Sequence, residues 1–398
     1  MPGKTASSTT LPSVVVSARG ASRLKNGHVW VYRSDVKVED DVAPGALVSV
    51  RDERKKFLGT ALYSSSSQIA IRMLSSGPVP DLPALLRQRI QEAIAYREKV
   101  VADSDAYRVV FSEADLLPGL IVDRYNDVLS LQVLTQAMDA EPLRHTTLET
   151  LEGLLHPAGI VERVDPRVRE LEKLPAKESG LLRGEKTKTI FTMNGVKFHF
   201  DGLEGQKTGA FLDQRENYAA AARFAHGQAL DVFCYQGGFA LHLAPHCSSV
   251  TGVDSSRLAL EIADQNAALN GREVEWIEAN AFDLLKDYSA SRQQYDTIVL
   301  DPPAFAKSKQ NLDTALRGYK ELNLRALKML RPGGVLVTCS CSYHVSVSDL
   351  LEVLTDAARD VHRTIRLLAN RGQSVDHPIL LNIPETSYLK CVVVNVSN

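Results

Sequence analysis

From about residue 188 to the C-terminus, short apolar β-prone runs alternate with stretches of helical periodicity. The runs at 229–233, 250–253, 274–277, 295–300, 333–338 and 388–395 read as strands. Helices are expected at 213–225, 237–244, 256–270, 313–330 and 348–360. Alternation of this kind leaves few folds open: it predicts a parallel sheet with helices on both faces. The last run, 388–395, reads as an antiparallel edge strand on that sheet. In a doubly wound sheet the carboxyl ends of the strands form the ligand crevice, so the residues that end these strands are the candidates for chemistry.

Three strand ends carry polar groups in order. Asp231 begins the segment Asp231-Val232-Phe233-Cys234-Tyr235-Gln236-Gly237-Gly238-Phe239, which reads as strand, tight turn and helix start. Gly237 and Gly238 allow a ligand to approach the backbone closely. A plain helix cap is the alternative reading of such a pair. Asp254 ends the next strand, where a carboxylate would accept the two hydroxyls of a ribose. Asn280 and Ala281 follow the third strand, at the expected place of an adenine edge. The dinucleotide glycine pattern and the P-loop are both absent, so a different nucleoside cofactor is expected.

The fourth and fifth strands end in Asp301-Pro302-Pro303-Ala304-Phe305 and Thr338-Cys339-Ser340-Cys341-Ser342. A carboxylate and a thiol pair are thus expected to face one cleft. That combination suits methyl transfer to a pyrimidine ring. Carbon 5 of cytosine is a poor nucleophile, and a thiolate adding at carbon 6 makes it enamine-like. Cysteine serves because it is intrinsically very nucleophilic, and a carboxylate on the ring's amidine edge stabilises the charge that builds there. Cys341 is the candidate nucleophile and Asp301 the carboxylate. A small, inert strand cysteine is the plain alternative for Cys341, and packing is favoured for Cys339. Pro302 and Phe305 are candidate base contacts, with wall packing the alternative for Phe305. Cys234, Cys247 and Cys391 lack metal-ligand spacing with any histidine, so no metal is expected.

The rest of the chain adds two smaller domains. Residues 1–75 hold 11 Lys/Arg against 6 Asp/Glu, a net of +5 within a chain whose total is −2. Short β-prone runs at 14–16, 46–50, 57–63 and 69–73 make this a compact β-rich unit. Lys25, Trp30 and Arg33, with Arg23 and Tyr32 nearby, offer phosphate and stacking contacts; Trp30 in the small core is the alternative. Residues 75–81 read as a linker. A central α/β unit is expected from 80 to 187. It has a helix at 83–100, strands near 108–111, 120–123, 128–134 and 159–163, a hairpin turn at 125–127, a helix at 141–155 and a loop over 166–186. The third domain runs from 188 to 398. The N-terminus lacks the apolar core of a signal peptide, no apolar run reaches the roughly 18 residues of a membrane span, and five cysteines show no paired framework. Reduced thiols and a cytoplasmic location are expected.

Several segments carry a family resemblance. They are Gly20-Ala21 through Arg33, Glu113-Ala114-Asp115-Leu116-Leu117-Pro118-Gly119 through Arg124, Lys207-Thr208-Gly209-Ala210-Phe211-Leu212-Asp213-Gln214-Arg215, the Asp231 to Phe239 loop, Asp301-Pro302-Pro303 with Phe305, and Cys341-Ser342. The C-terminal half resembles class I S-adenosylmethionine-dependent methyltransferases. The whole chain resembles the bacterial 23S ribosomal RNA cytosine-5 methyltransferases of the RlmI type. The resemblance implies an N-terminal PUA RNA-binding domain, a central α/β domain and a Rossmann-like catalytic domain. It implies S-adenosylmethionine as cofactor, with Phe211, Asp213, Gln214 and Arg215 lining its pocket, and 23S ribosomal RNA as partner. Oligomeric state stays open, a homodimer included. Two other readings compete. An exocyclic-amine methyltransferase needs no thiol, but it places an aromatic where this chain has Ala304. An RNA-binding scaffold that has lost catalysis would have no use for the set Asp231, Asp254 and Asp301.

Overall fold

The computed structural model describes residues 11–38, 41–203, 210–306 and 309–398. The expected segment Lys207-Thr208-Gly209 lies outside them. The chain forms two compact units. One comprises residues 1–100, 108–187 and Pro378–Thr386; the other comprises Val101–Tyr107, Lys188–His377 and Ser387–Asn398.

The first unit contains a six-stranded sheet, in the order Trp30–Tyr32, Ile69–Ser75, Phe57–Tyr63, Leu47–Asp52, Ser13–Val16 and Val36–Val38. Alternate residues such as Val14, Val16, Val48, Val50, Ala61 and Ile71 face a core of essentially zero exposure, the period-2 pattern of half-buried strands. A helix, Ala18–Lys25, interrupts the strands, with Ser17 capping its N-terminus. A second sheet carries Leu120–Tyr125 and Val128–Val133 as a hairpin. Its turn residue Asn126 sits at φ 52°, as the sequence predicts for residues 125–127. The expected loop over 166–186 is corrected. Asp165 caps a helix, Pro166–Leu171, by accepting from Arg167 N at 3.0 Å and Val168 N at 3.3 Å, with Pro166 at its first position. Gly180–Gly184 is a strand.

Composition makes residues 75–81 look like a free linker, yet Val79 is buried and Gly77 O accepts from Thr60 Oγ1 at 2.9 Å. The β-rich part and the central part are joined by a buried polar cluster. Glu172 accepts from Ser64 Oγ at 2.7 Å and pairs with Arg72 at 3.4 Å, and Gln136 donates to the Glu172 carbonyl at 2.6 Å.

The second unit is built on a seven-stranded sheet in the order Glu275–Glu278, Ser249–Asp254, Gln228–Val232, Tyr295–Leu300, Leu330–Ser340, Lys390–Ser397, Thr364–Arg371. The first five are parallel; the last two pair antiparallel. The terminal strand therefore lies inside the sheet, and Thr364–Arg371, which the sequence pattern does not reveal, forms the edge. Connections run to one side of Gln228–Val232 and then to the other, which makes the ends of Gln228–Val232 and Tyr295–Leu300 the topological switch point. Helices cover the sheet by ordinary amphipathic packing: Ala315, Tyr319, Leu322 and Ala326 form the buried stripe of Leu312–Met329, and Ser346 with Asp349 makes a capping box for Val347–Asp360. A helix at Ala281–Ala290 and a hairpin, Lys188–Met193 with Val196–Asp201, were not expected from the sequence. Among the described residues no helix is long and apolar enough to cross a membrane.

Candidate active site

At the switch point lies a cleft of about 450 Å³, lined by Phe211, Asp213, Gln214, Phe233, Tyr235, Asp254, Asp301, Pro302, Cys341 and Tyr388 among others. That volume falls in the usual range for small-molecule sites. The cleft brings together Asp213, Gln214 and Phe211 from the turn before Arg215–Ala222, Asp254 from the second strand, Asp301 from the fourth and Cys341 just past the fifth.

Residues 233–237 form its floor. Phe233 and Tyr235 adopt left-handed backbone, φ 68° and 49°, a conformation costly for side-chain-bearing residues. Asp254 steadies this turn: Oδ2 accepts from Tyr235 N and Oδ1 from Ser256 N, each at 2.9 Å. Gly237 also sits at φ 85° and opens the helix Gly238–Leu243. The close approach that calls for Gly238 is made by the protein itself, since a Cβ there would meet Tyr218 Oη at 2.5 Å. Asp231 is buried beneath the turn. Its Oδ2 accepts from Ala240 N at 2.8 Å, while Oδ1 has no partner among the described residues. Burial, reinforced by Asp301 and Asp254, pushes its carboxyl up to about 8 against the Ala240 bond.

Asp301 is half-buried and bonded by Gln214 Nε2 at 3.0 Å. The Gln214 amide is oriented in turn by Asn217 Nδ2 at 2.7 Å, and Asn217 by Arg371 Nε at 3.1 Å. Burial and then the Asp213 charge raise the Asp301 carboxyl to about 7, with the Gln214 bond opposing. Asp213 Oδ2 accepts from Tyr388 Oη at 2.6 Å. Cys341 Sγ lies 4.0 Å from Pro302 O. Burial, Asp301 and Asp213 push its thiol up to about 11, and Lys390 pulls the other way. Cys339 is fully buried opposite Cys391 and does not line the cleft.

Several expected site residues sit elsewhere. Asn280 caps the helix Ala281–Ala290, its Oδ1 accepting from Phe282 N at 2.9 Å, and Ala281 is buried at that helix's start. Arg215 is buried in an ion pair with Asp376 at 3.1 Å. Phe305 packs on Phe282 and Tyr319, with ring centroids 5.9 and 4.8 Å away, so it forms wall and not cleft surface. In the first unit Trp30 Nε1 donates to Glu113 at 2.9 Å, and the Arg33 guanidinium is bound to the Ser64 and Ser67 carbonyls. Lys25 is exposed. Sequence reasoning missed Tyr388 and Lys390, because the C-terminal segment carries no motif, and missed Asn217 and Arg371, which act on Asp301 through the Gln214 amide.

Two family descriptions match the chain: a PUA-like domain over residues 14–76 and an S-adenosylmethionine-dependent methyltransferase over residues 116–378. A ribosomal RNA large subunit methyltransferase I from Shewanella denitrificans is 39% identical over 386 residues, covering 94% of this chain and 96% of its own. The chain belongs to the ribosomal RNA large subunit methyltransferase I family. A second member, from Tolumonas auensis, is 38% identical and covers 92% of this chain and 95% of its own. The fold also matches that of SMU.776, solved in complex with SAH, at a TM-score of 0.83 and 19% identity over 97% of this chain and 100% of that one. As a member of this family the chain is a methyltransferase with S-adenosylmethionine as cofactor. The residues fit that group: Asp213, Asp254 and Asp301 surround the cleft with carboxylates suited to a cationic ligand bearing a ribose, and the unpartnered Asp231 Oδ1 lies beneath its floor.

Proposed function

We propose that this chain methylates carbon 5 of a cytosine in large-subunit ribosomal RNA, 23S in a bacterium, through a covalent adduct on Cys341. The observation that supports the reading is the meeting of one thiol and one half-buried carboxyl, Cys341 and Asp301, in the cleft that also holds Asp254. S-adenosylmethionine would supply an electrophilic methyl group on sulfur, and Asp254 would hold its ribose, with Phe233 and Tyr235 lining its place in the cleft. Cys341 adds to carbon 6 of the base as thiolate. Asp301, raised to about 7, is partly protonated at neutral pH and can donate to the ring nitrogen as negative charge develops. Gln214 fixes which Asp301 oxygen faces inward. A base then takes the carbon 5 proton, and the carbon–sulfur electrons return to Cys341.

The basic N-terminal part serves RNA docking in this reading. Lys25 and the exposed run Arg54, Lys55 and Lys56 offer phosphate contacts, while Trp30 and Arg33 hold the fold. A ribosomal RNA substrate implies work in the cytoplasm. Incubating free ribosomal RNA and ribosomal subunits with methyl-labelled cofactor, then digesting to nucleosides, tests the product. The expected label is in 5-methylcytidine. Label in an N-methylated base would overturn the assignment in favour of amine methylation, for which Cys341 has no role.

A further inference from the structure

Lys390 is buried, at 6% exposure, in the last strand, directly opposite Ser340 in antiparallel register. Its ammonium donates to Ser342 O at 2.6 Å and to Tyr388 O at 2.8 Å. The residues it faces and holds, Ser340 and Ser342, flank Cys341 on both sides. Lysine has three N–H donors, and the third has no partner among the described residues. Nor does any carboxylate there form a salt bridge with it. Burying an ammonium without a counter-ion is unfavourable, so its placement calls for a group that becomes anionic.

The charged and titratable groups around this pair come from every packed element. Asp301 ends the fourth strand, Asp213 precedes the helix Arg215–Ala222, and Asp349 lies in the first turn of Val347–Asp360. Tyr319 comes from Leu312–Met329, Cys339 from the fifth strand, and Tyr388 and Cys391 from the terminal segment. Asp301 and Asp213 both oppose a thiolate at Cys341, and Lys390 is the cation that favours one.

We propose that Lys390 is the charge partner of Cys341, an ammonium that stabilises the thiolate as sulfur attacks and again as sulfur leaves; this rests on the reading of Cys341 as nucleophile. The thiol proton passes to solvent, and the sulfur electron pair then forms the bond to carbon 6. On elimination that bond breaks, its electrons return to sulfur, and the thiolate again faces the ammonium. Burial holds the Lys390 ammonium down at about 8, so it is still mostly charged at neutral pH.

The test is the pH profile of iodoacetamide alkylation at Cys341, read by peptide mass spectrometry in the full-length wild type, Lys390→Met and Lys390→Arg. No RNA is present, so the result does not depend on which base is methylated. The Met variant should react about tenfold more slowly at pH 8, with its midpoint raised by about one unit, which is a tenfold loss of thiolate. The Arg variant, a permanent cation, should keep its midpoint at or below that of wild type. A Met profile superimposed on wild type overturns the proposal. So does an Arg midpoint raised as far as that of Met, because a purely structural role would affect both alike. If the Met variant fails to bind cofactor by calorimetry, the Arg midpoint decides alone. A missing 5-fluorocytosine adduct alongside the expected alkylation shifts would remove the cytosine chemistry and leave the thiol–lysine pair standing.

Discussion

Asp301 shows how one side chain is tuned by its surroundings. Its carboxyl is raised to about 7 chiefly by burial and by Asp213, so between about pH 4 and 7 the folded state holds a proton that the unfolded chain releases. Stability therefore falls as pH climbs through that window and levels off above it. Asp301→Asn removes the titration. At pH 8 the variant should melt about 2–4 °C above wild type, the shift that about 1 kcal/mol gives in a domain of this size, and the difference should vanish at pH 4. Scanning calorimetry across pH checks this; a variant less stable than wild type at pH 8 would mean the carboxylate is a net stabilising contact. Asp254, Asp301 and Cys341 could be singled out in the sequence because they end apolar strands. Asn280 and Phe305 could be located in the same way, but their surroundings could not. Whether a side chain faces a ligand or caps a helix depends on neighbours from distant segments.

At the scale of elements, one helix helps to hold the turn that carries Cys341. Tyr319 is buried in Leu312–Met329; its hydroxyl accepts from Ser340 Oγ at 2.9 Å and meets Ser342 Oγ at 3.1 Å, and Ser342 Oγ accepts from Ala306 N at 3.2 Å. Tyr319→Phe leaves buried hydroxyls short of a partner, at a cost of about 1–3 kcal/mol. Denaturant unfolding should show that loss, and kcat should fall while cofactor KM stays within about twofold, since no cofactor contact is touched. An unchanged kcat would release Tyr319 from this role. Parallel strands and long helices were legible because burial on both faces forces continuous apolar runs and a 3.6-residue stripe. The hairpin at Lys188–Met193 and Val196–Asp201 carries its signal in the turn, Asn194-Gly195, both at positive φ, 49° and 79°. The edge strand Thr364–Arg371 had none, because its exposed face and its bulge between Leu367 and Ala369 blur the alternation.

For the whole molecule, the sequence separated a basic β-rich part from a central part on composition alone. It could not show that Glu172, Arg72, Ser64 and Gln136 fasten the two together, because that cluster joins residues about 100 positions apart. Removing the first 80 residues would strip partners from a buried carboxylate, so point substitutions are the sounder probe of what the β-rich part does. The central claim concerns the other unit: that Cys341 bonds covalently to a cytosine while Cys339 only packs. It is tested most directly with ribosomal RNA carrying 5-fluorocytosine, whose fluorine cannot leave as a proton does and so traps the adduct. Mass spectrometry should find the RNA-derived mass on the Cys341 peptide in wild type and in Cys339→Ala, and no adduct in Cys341→Ala, which should still bind cofactor. An adduct lost in Cys339→Ala and kept in Cys341→Ala, or absent from wild type, would contradict the account.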